Sequence, residues 1–217
     1  MTDVDPHADA GLATAGAPPQ VAEAAVVLLH GRGDAPEGIL RLVDETYHRG
    51  VHYVAPAAAG RVWFPGGFAD QLTERRRAYL ESALGQAEAA VDVAEDIGVA
   101  PERIVVAGFS QGAALALEFV TRRPRRYGGV AALAGGLLGS TDELDSRPGK
   151  LAETPAFCGV GEDDSTVSAD HVEASAAVLR AMDAAVTVER YPGLGHAIGD
   201  GEIAALNRLV GGVADGP

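Results

Sequence analysis

The chain has 217 residues, enough for one continuous core and too few for two. Hydrophobic residues make up 47% and charged residues 22%, the balance of an ordinary globular protein rather than a disordered one. Lys and Arg number 17 against 31 Asp and Glu, a formal charge of −14, which argues against nucleic acid and anionic membrane surfaces as partners.

In chain order, residues 1–14 read as a flexible N-terminal arm, polar and acidic, and residues 15–217 as one domain. Ala13–Pro19 reads as a short edge strand or turn. The first firm element is the continuous apolar run Ala24–Leu29. Similar short runs follow at Val51–Ala55, Arg103–Ala107, Gly129–Leu133, Ala156–Val160 and Val186–Tyr191. Continuous rather than alternating apolarity predicts strands covered on both faces. Helical patterns separate them. Glu37–His48 is short, while residues 72–97 place Leu80, Leu84, Ala87, Val91 and Ala94 at three- and four-residue steps. Gly98 and then Pro101 stop that helix. Gly112–Arg122, His171–Met182 and Gly201–Val210 are the remaining helices. Strands alternating with helices predict an α/β fold with a mostly parallel central sheet and helices on both faces. Gly135–Thr154 is a candidate mobile loop, and Pro56–Asp70 is a second irregular stretch that carries aromatics.

Gly108-Phe109-Ser110-Gln111-Gly112 is a Gly-x-Ser-x-Gly motif between a predicted strand and a predicted helix. A nucleophilic serine has to project from a sharp strand-to-helix turn with strained backbone angles. Its neighbours two residues away must then be tiny, hence Gly108 and Gly112. The helix beginning there aims its N–H groups at developing negative charge, and the Gln111 N–H is a candidate oxyanion donor. The competing reading is a glycine-rich turn whose serine caps the helix.

A serine nucleophile needs a base, and the base an orienting acid, in the chain order serine, acid, histidine. Two histidines lie downstream of Ser110. His171 falls in a predicted helix and reads as a surface residue. His196 falls in a glycine-rich loop straight after the last strand, where α/β sites are built, and is the predicted base. The acid should follow the strand at Ala156–Val160, where Glu162, Asp163 and Asp164 are all candidates by position. Upstream, His30-Gly31-Arg32-Gly33 follows the first strand, and the Arg32 N–H is a candidate second oxyanion donor.

These residues resemble the phospholipase/carboxylesterase family of α/β hydrolases, which includes acyl-protein thioesterases and small bacterial carboxylesterases. The likeness runs from about Ala15 onward. It rests on His30-Gly31-Arg32-Gly33, Trp63-Phe64, Gly108-Phe109-Ser110-Gln111-Gly112-Ala113, Gly161-x-x-Asp164-x-x-Val167 and Gly193-x-Gly195-His196. The resemblance implies an α/β-hydrolase fold without a large lid domain. Its pattern of Gly, two residues, Asp, two residues, Val selects Asp164 as the acid and leaves Asp163 in reserve. Ser168 stands where the family usually has proline, and Cys158-Gly159-Val160 where a His-Gly often precedes the acid. The implied activity is hydrolysis of carboxylic esters through Ser110, His196 and Asp164, with thioesterase or lysophospholipase activity as the alternative. A catalytically silent ligand-binding protein on the same fold is the remote one.

Around that centre, Trp63, Phe64 and Leu137 are candidate substrate-lining residues. Trp63 is equally readable as a cap on the core. Arg75-Arg76-Arg77 reads as a solvated helix face. Cys158 is the only cysteine; it excludes a disulfide framework and reads as a small buried apolar residue. No metal or organic cofactor is expected, and the expected partner is a small-molecule ester or thioester. No apolar run is long enough to span a bilayer and no signal peptide is read, which predicts a cytoplasmic protein without membrane insertion. A homodimer is compatible with the chain, but no interface can be read from it. Lys150 is the only lysine, a composition that suits high salt and also arises from a GC-rich genome.

Overall fold

The structure is a computed structural model that describes residues 5–8, 10–141, 144 and 147–215. Seven strands form one sheet in the order β1-β3-β2-β4-β5-β6-β7. These are β1 Leu12–Gly16, β2 Ala24–Leu29, β3 Val51–Pro56, β4 Ile104–Phe109, β5 Gly129–Leu133, β6 Pro155–Gly161 and β7 Ala185–Tyr191. Only β1 runs antiparallel, pairing with β3; the remaining pairings are parallel. The helices are α1 Pro36–Ile39, α2 Val43–Thr46, α3 Glu74–Asp96, α4 Gln111–Arg122, α5 Ala169–Ala181 and α6 Asp200–Ala214.

The unbroken apolar runs are explained by two cores, one on each face. Ala25, Val27 and Leu29 of β2 pack with α3, α4 and α5. Ala24, Val26 and Leu28 pack on the other face with α1 and α6. A strand covered on both sides has no position for a polar residue, so the period-two alternation of a half-exposed strand vanishes. Helix α4 is buried from Gln111 to Thr121, because it lies between the sheet and α3.

Three expectations change. The helix expected over Glu37–His48 breaks into α1, a 3-10 turn at Leu40–Leu42, and α2. The run at Val186–Tyr191 is not covered on both faces. It belongs to the edge strand β7, whose residues alternate between exposed and half-buried. Strand β1 begins at Leu12, within the stretch expected as an arm, and His7 in that stretch is fully buried. His7 Nε2 lies 2.9 Å from the Trp63 carbonyl, and its Nδ1 accepts the Ala59 N–H. No described helix is long and apolar enough to cross a membrane.

Candidate active site

Strand β4 ends at Phe109 and α4 begins at Gln111, leaving Ser110 alone in the turn between them. Its backbone has φ 53 and ψ −116, a conformation that a residue with a side chain adopts at a cost. The flanking glycines are a steric requirement. A Cβ on Gly108 would lie 2.3 Å from the Gly112 carbonyl carbon. The strain is held in place by the Ser110 N–H donating to the Leu133 carbonyl at 2.9 Å and by the Ala114 N–H donating to the Ser110 carbonyl at 3.0 Å.

His196 lies in the loop between β7 and α6, and Asp164 in the turn after β6. Parallel strands bring these three turns to the same C-terminal edge of the sheet. The His196 ring bridges the other two residues, with Nε2 2.8 Å from Ser110 Oγ and Nδ1 2.8 Å from Asp164 Oδ2. A ring that donates from Nδ1 to a carboxylate presents a lone pair at Nε2 to a hydroxyl. Asp164 is kept in place by its other oxygen, which accepts the N–H groups of Thr166 and Val167 at 2.7 and 3.0 Å. Its side chain is fully buried, while that of His196 is 23% exposed. The ring of Phe109 lies 5.2 Å from the imidazole. Glu162 and Asp163 are exposed, so of the three acidic candidates the histidine meets Asp164.

The His30–Gly33 turn packs directly on this elbow. A Cβ on Gly31 would lie 3.0 Å from the Phe109 ring, and one on Gly112 would lie 2.7 Å from the His30 carbonyl oxygen. Arg32 lies in that turn, its guanidinium donating to the Gly66 carbonyl, and the Gln111 N–H is the first of α4, without an acceptor in its own helix. His30 is structural and buried: Nε2 accepts the Ala58 N–H, so Nδ1 carries the proton donated to the Gly31 carbonyl. Burial pushes its pKa down, in keeping with a neutral ring.

The expected lining residues do not border open space. Trp63 and Leu137 are 0% exposed and Phe64 is 1% exposed, all within the core. Trp63 Nε1 donates to the His30 carbonyl, and Leu137 O lies 2.7 Å from His171 Nε2. His171 is therefore not a surface residue: it is buried and holds the Leu137 loop to α5. Arg76 likewise departs from the solvated face on which Arg75 and Arg77 lie. It is buried and donates to the carbonyls of Gly67 and Asp70. Cys158 is fully buried, and burial pushes its thiol pKa up to about 12.

The sequence reading missed the role of the Gln111 side chain and two buried carboxylates, Glu118 and Glu202. The Gln111 side chain accepts the Trp63 N–H and donates to the Phe64 carbonyl, tying the elbow to the aromatic stretch. Glu118 pairs with Arg122 and Arg147 and accepts the Leu138 N–H. Glu202 bonds to the N–H groups of Ala134 and Gly199. A carboxylate at the third position of a helix signals a cap, but nothing local tells that it will be buried. A groove of about 750 Å³ opens elsewhere, between α6 and the N-terminal ends of β5, β6 and β7, at the opposite end of the sheet from Ser110. Among the described residues no cluster of three His, Cys, Asp or Glu could hold a metal ion.

Known proteins resemble this chain over most of its length. The profile of the family described as Phospholipase/Carboxylesterase matches residues 12–210. A probable carboxylesterase of Arabidopsis thaliana is 28% identical over 197 residues, spanning 83% of this chain and 75% of that protein. Acyl-protein thioesterase 1 of Candida albicans is 24% identical over 216 residues, spanning 89% of this chain and 94% of that protein. The crystal structure of a phospholipase/carboxylesterase from Dyadobacter fermentans superposes with a TM-score of 0.86 at 37% identity, covering 93% of this chain and 96% of that one.

Proposed function

The chain belongs to the phospholipase/carboxylesterase family of ester hydrolases, and on that premise we propose that it cleaves carboxylic esters with Ser110 as nucleophile, His196 as base and Asp164 as the acid that orients it. The observation that carries the proposal is the His196 ring, 2.8 Å from Ser110 Oγ on one side and 2.8 Å from Asp164 Oδ2 on the other.

The reaction follows from those contacts. His196 Nε2 takes the hydroxyl proton as Ser110 Oγ attacks the ester carbonyl carbon, and the carbonyl oxygen becomes an oxyanion. Asp164 stabilises the imidazolium so formed. The N–H groups of Arg32 and Gln111 bind the oxyanion, each worth about 3–4 kcal/mol of barrier. His196 then protonates the leaving alcohol, giving an acyl-enzyme on Ser110. Water loses a proton to the same imidazole and attacks the acyl carbon; the bond to Ser110 Oγ then breaks as the imidazolium returns the proton to that oxygen, and the acid leaves. Thioesters react by the same steps with a thiol as leaving group, a second reading favoured by the acyl-protein thioesterase among the relatives.

Turnover of p-nitrophenyl esters of graded chain length, set beside acyl thioesters, tests the proposal. Ester turnover that disappears in Ser110→Ala supports it. Thioester turnover well above ester turnover selects the second reading. Equal turnover by wild type and Ser110→Ala refutes both.

A further inference from the structure

Glu202 is fully buried beside Asp164 and His196 and touches neither the serine nor the imidazole by a hydrogen bond. As the third residue of α6 its ordinary task is to accept the N–H of Gly199, the residue before the helix, and it does so at 3.0 Å. A helix cap, however, lies normally at the surface. This one sends its other oxygen across to the end of β5, where it shares the Ala134 N–H, at 3.2 Å, with the Gly159 carbonyl at 3.0 Å. The room it occupies is made by β6: a Cβ on Gly159 would lie 2.5 Å from Glu202 Oε1. The carboxylate is thus wedged between two strand ends and the loop that carries His196.

That loop has two anchors. On one side of His196 the Leu194 carbonyl accepts the Asp163 N–H at 3.0 Å, fixing it to the turn that bears Asp164. On the other side Gly199 is fixed by Glu202. Burial raises the pKa of Glu202 and the nearby Asp164 adds to the effect, while the two backbone donors oppose it. Burying such a group is costly, and capping alone gives no reason to bear that cost.

We propose that Glu202 is a positioning residue: by clamping Gly199 to the end of β5 it holds the His196 loop so that the imidazole stays between Ser110 and Asp164. The proposal rests on the reading of those three residues as a catalytic triad.

Glu202→Gln keeps the size of the side chain and one acceptor, but turns an N–H₂ group toward a backbone N–H. The expected result is a kcat lowered about 10- to 100-fold, by analogy with the loss when residues that orient metal ligands are changed, with KM little altered. Fluorophosphonate labelling should slow by the same factor. The downfield proton resonance of His196 Nδ1–H, which reports the bond to Asp164, should broaden or vanish. Glu202→Asp, too short to reach both N–H groups, should behave alike and serves if the glutamine variant does not fold. Glu202→Ala/Gly159→Ala fills space without restoring an acceptor and should regain no activity over Glu202→Ala. Wild-type labelling rate and resonance in Glu202→Gln, or recovery in the double variant, would overturn the clamp alone. Absence of labelling in the wild type would overturn the triad reading and the clamp with it.

Discussion

A methyl group placed on Gly112 would lie 1.9 Å from the carbonyl oxygen of Leu29. The first turn of the helix after the serine thus touches the end of strand β2, with no space for a side chain between them. The contact sets the spacing between Ser110 and the His30–Gly33 turn, and with it the gap in which the proposed oxyanion donors lie. Gly112→Ala must push α4 away from the sheet. A loss of about 3 kcal/mol or more is expected in denaturant unfolding, together with loss of ester turnover in any folded fraction. Full stability in Gly112→Ala would mean that the elbow is looser than this contact implies.

The acid is tested by a pair of neighbours. Asp164→Asn cannot accept from Thr166, Val167 and His196 at once, because one oxygen becomes a donor. Its kcat should fall about ten-thousandfold, as misorientation of the base does in other triads. Asp163→Asn changes an exposed side chain and should leave kcat within a few-fold of wild type. The opposite ranking would move the acid by one residue.

Glu118 gives a prediction on stability and its pH dependence. Burial raises its pKa, but the hydrogen bond and charge of Arg147, with Arg122 and the Leu138 N–H, outweigh that and leave it below the ordinary value of 4.5. A depressed folded-state pKa contributes stability above the unfolded value that is lost as pH falls through the folded one. Arg147→Ala should therefore cost about 3 kcal/mol near neutral pH, because the buried Glu118 carboxylate loses one of its two arginine partners and keeps Arg122. That corresponds to a fall in Tm of roughly 6–12 °C for a chain of this size. The difference from wild type should shrink as the pH is taken below 4.5, toward protonation of Glu118 in both proteins. A constant difference across that range would contradict the role given to Glu118.

Cys158 should be inert. With its thiol buried and its pKa pushed up to about 12, almost no thiolate is present at pH 8. Iodoacetamide treatment of the folded protein at that pH should leave ester turnover unchanged and Cys158 unmodified by mass spectrometry. Rapid inactivation by the reagent would point to a cysteine-dependent reaction.

The parts of this molecule that were legible in the sequence are those set by local chain geometry. The runs at Ala24–Leu29 and Gly129–Leu133 signalled covered strands because both faces of each are apolar. The glycines flanking Ser110 signalled a sharp turn because only glycine fits there. Asp164 was separable from Asp163 only through a family pattern, since position alone leaves both at the end of β6. What was not legible depends on partners far along the chain. His171 has the spacing of a surface residue on a helix and is buried because the Leu137 carbonyl comes to meet it. Arg76 stands in a run of three arginines, yet it alone turns inward to the Gly67 and Asp70 carbonyls. Trp63 looked equally suited to a pocket and to the core, and the His30 carbonyl that takes its indole N–H lies 33 residues away.

The most direct test of the account is covalent. Wild type, Ser110→Ala and His196→Ala should be treated with a fluorophosphonate probe and the modified peptide mapped by mass spectrometry. The account predicts one phosphonylated residue, Ser110, in the wild type, no labelling of Ser110→Ala, and labelling slowed by orders of magnitude in His196→Ala. A wild-type protein that ignores the probe as completely as Ser110→Ala, or that carries the label on another residue, would contradict it.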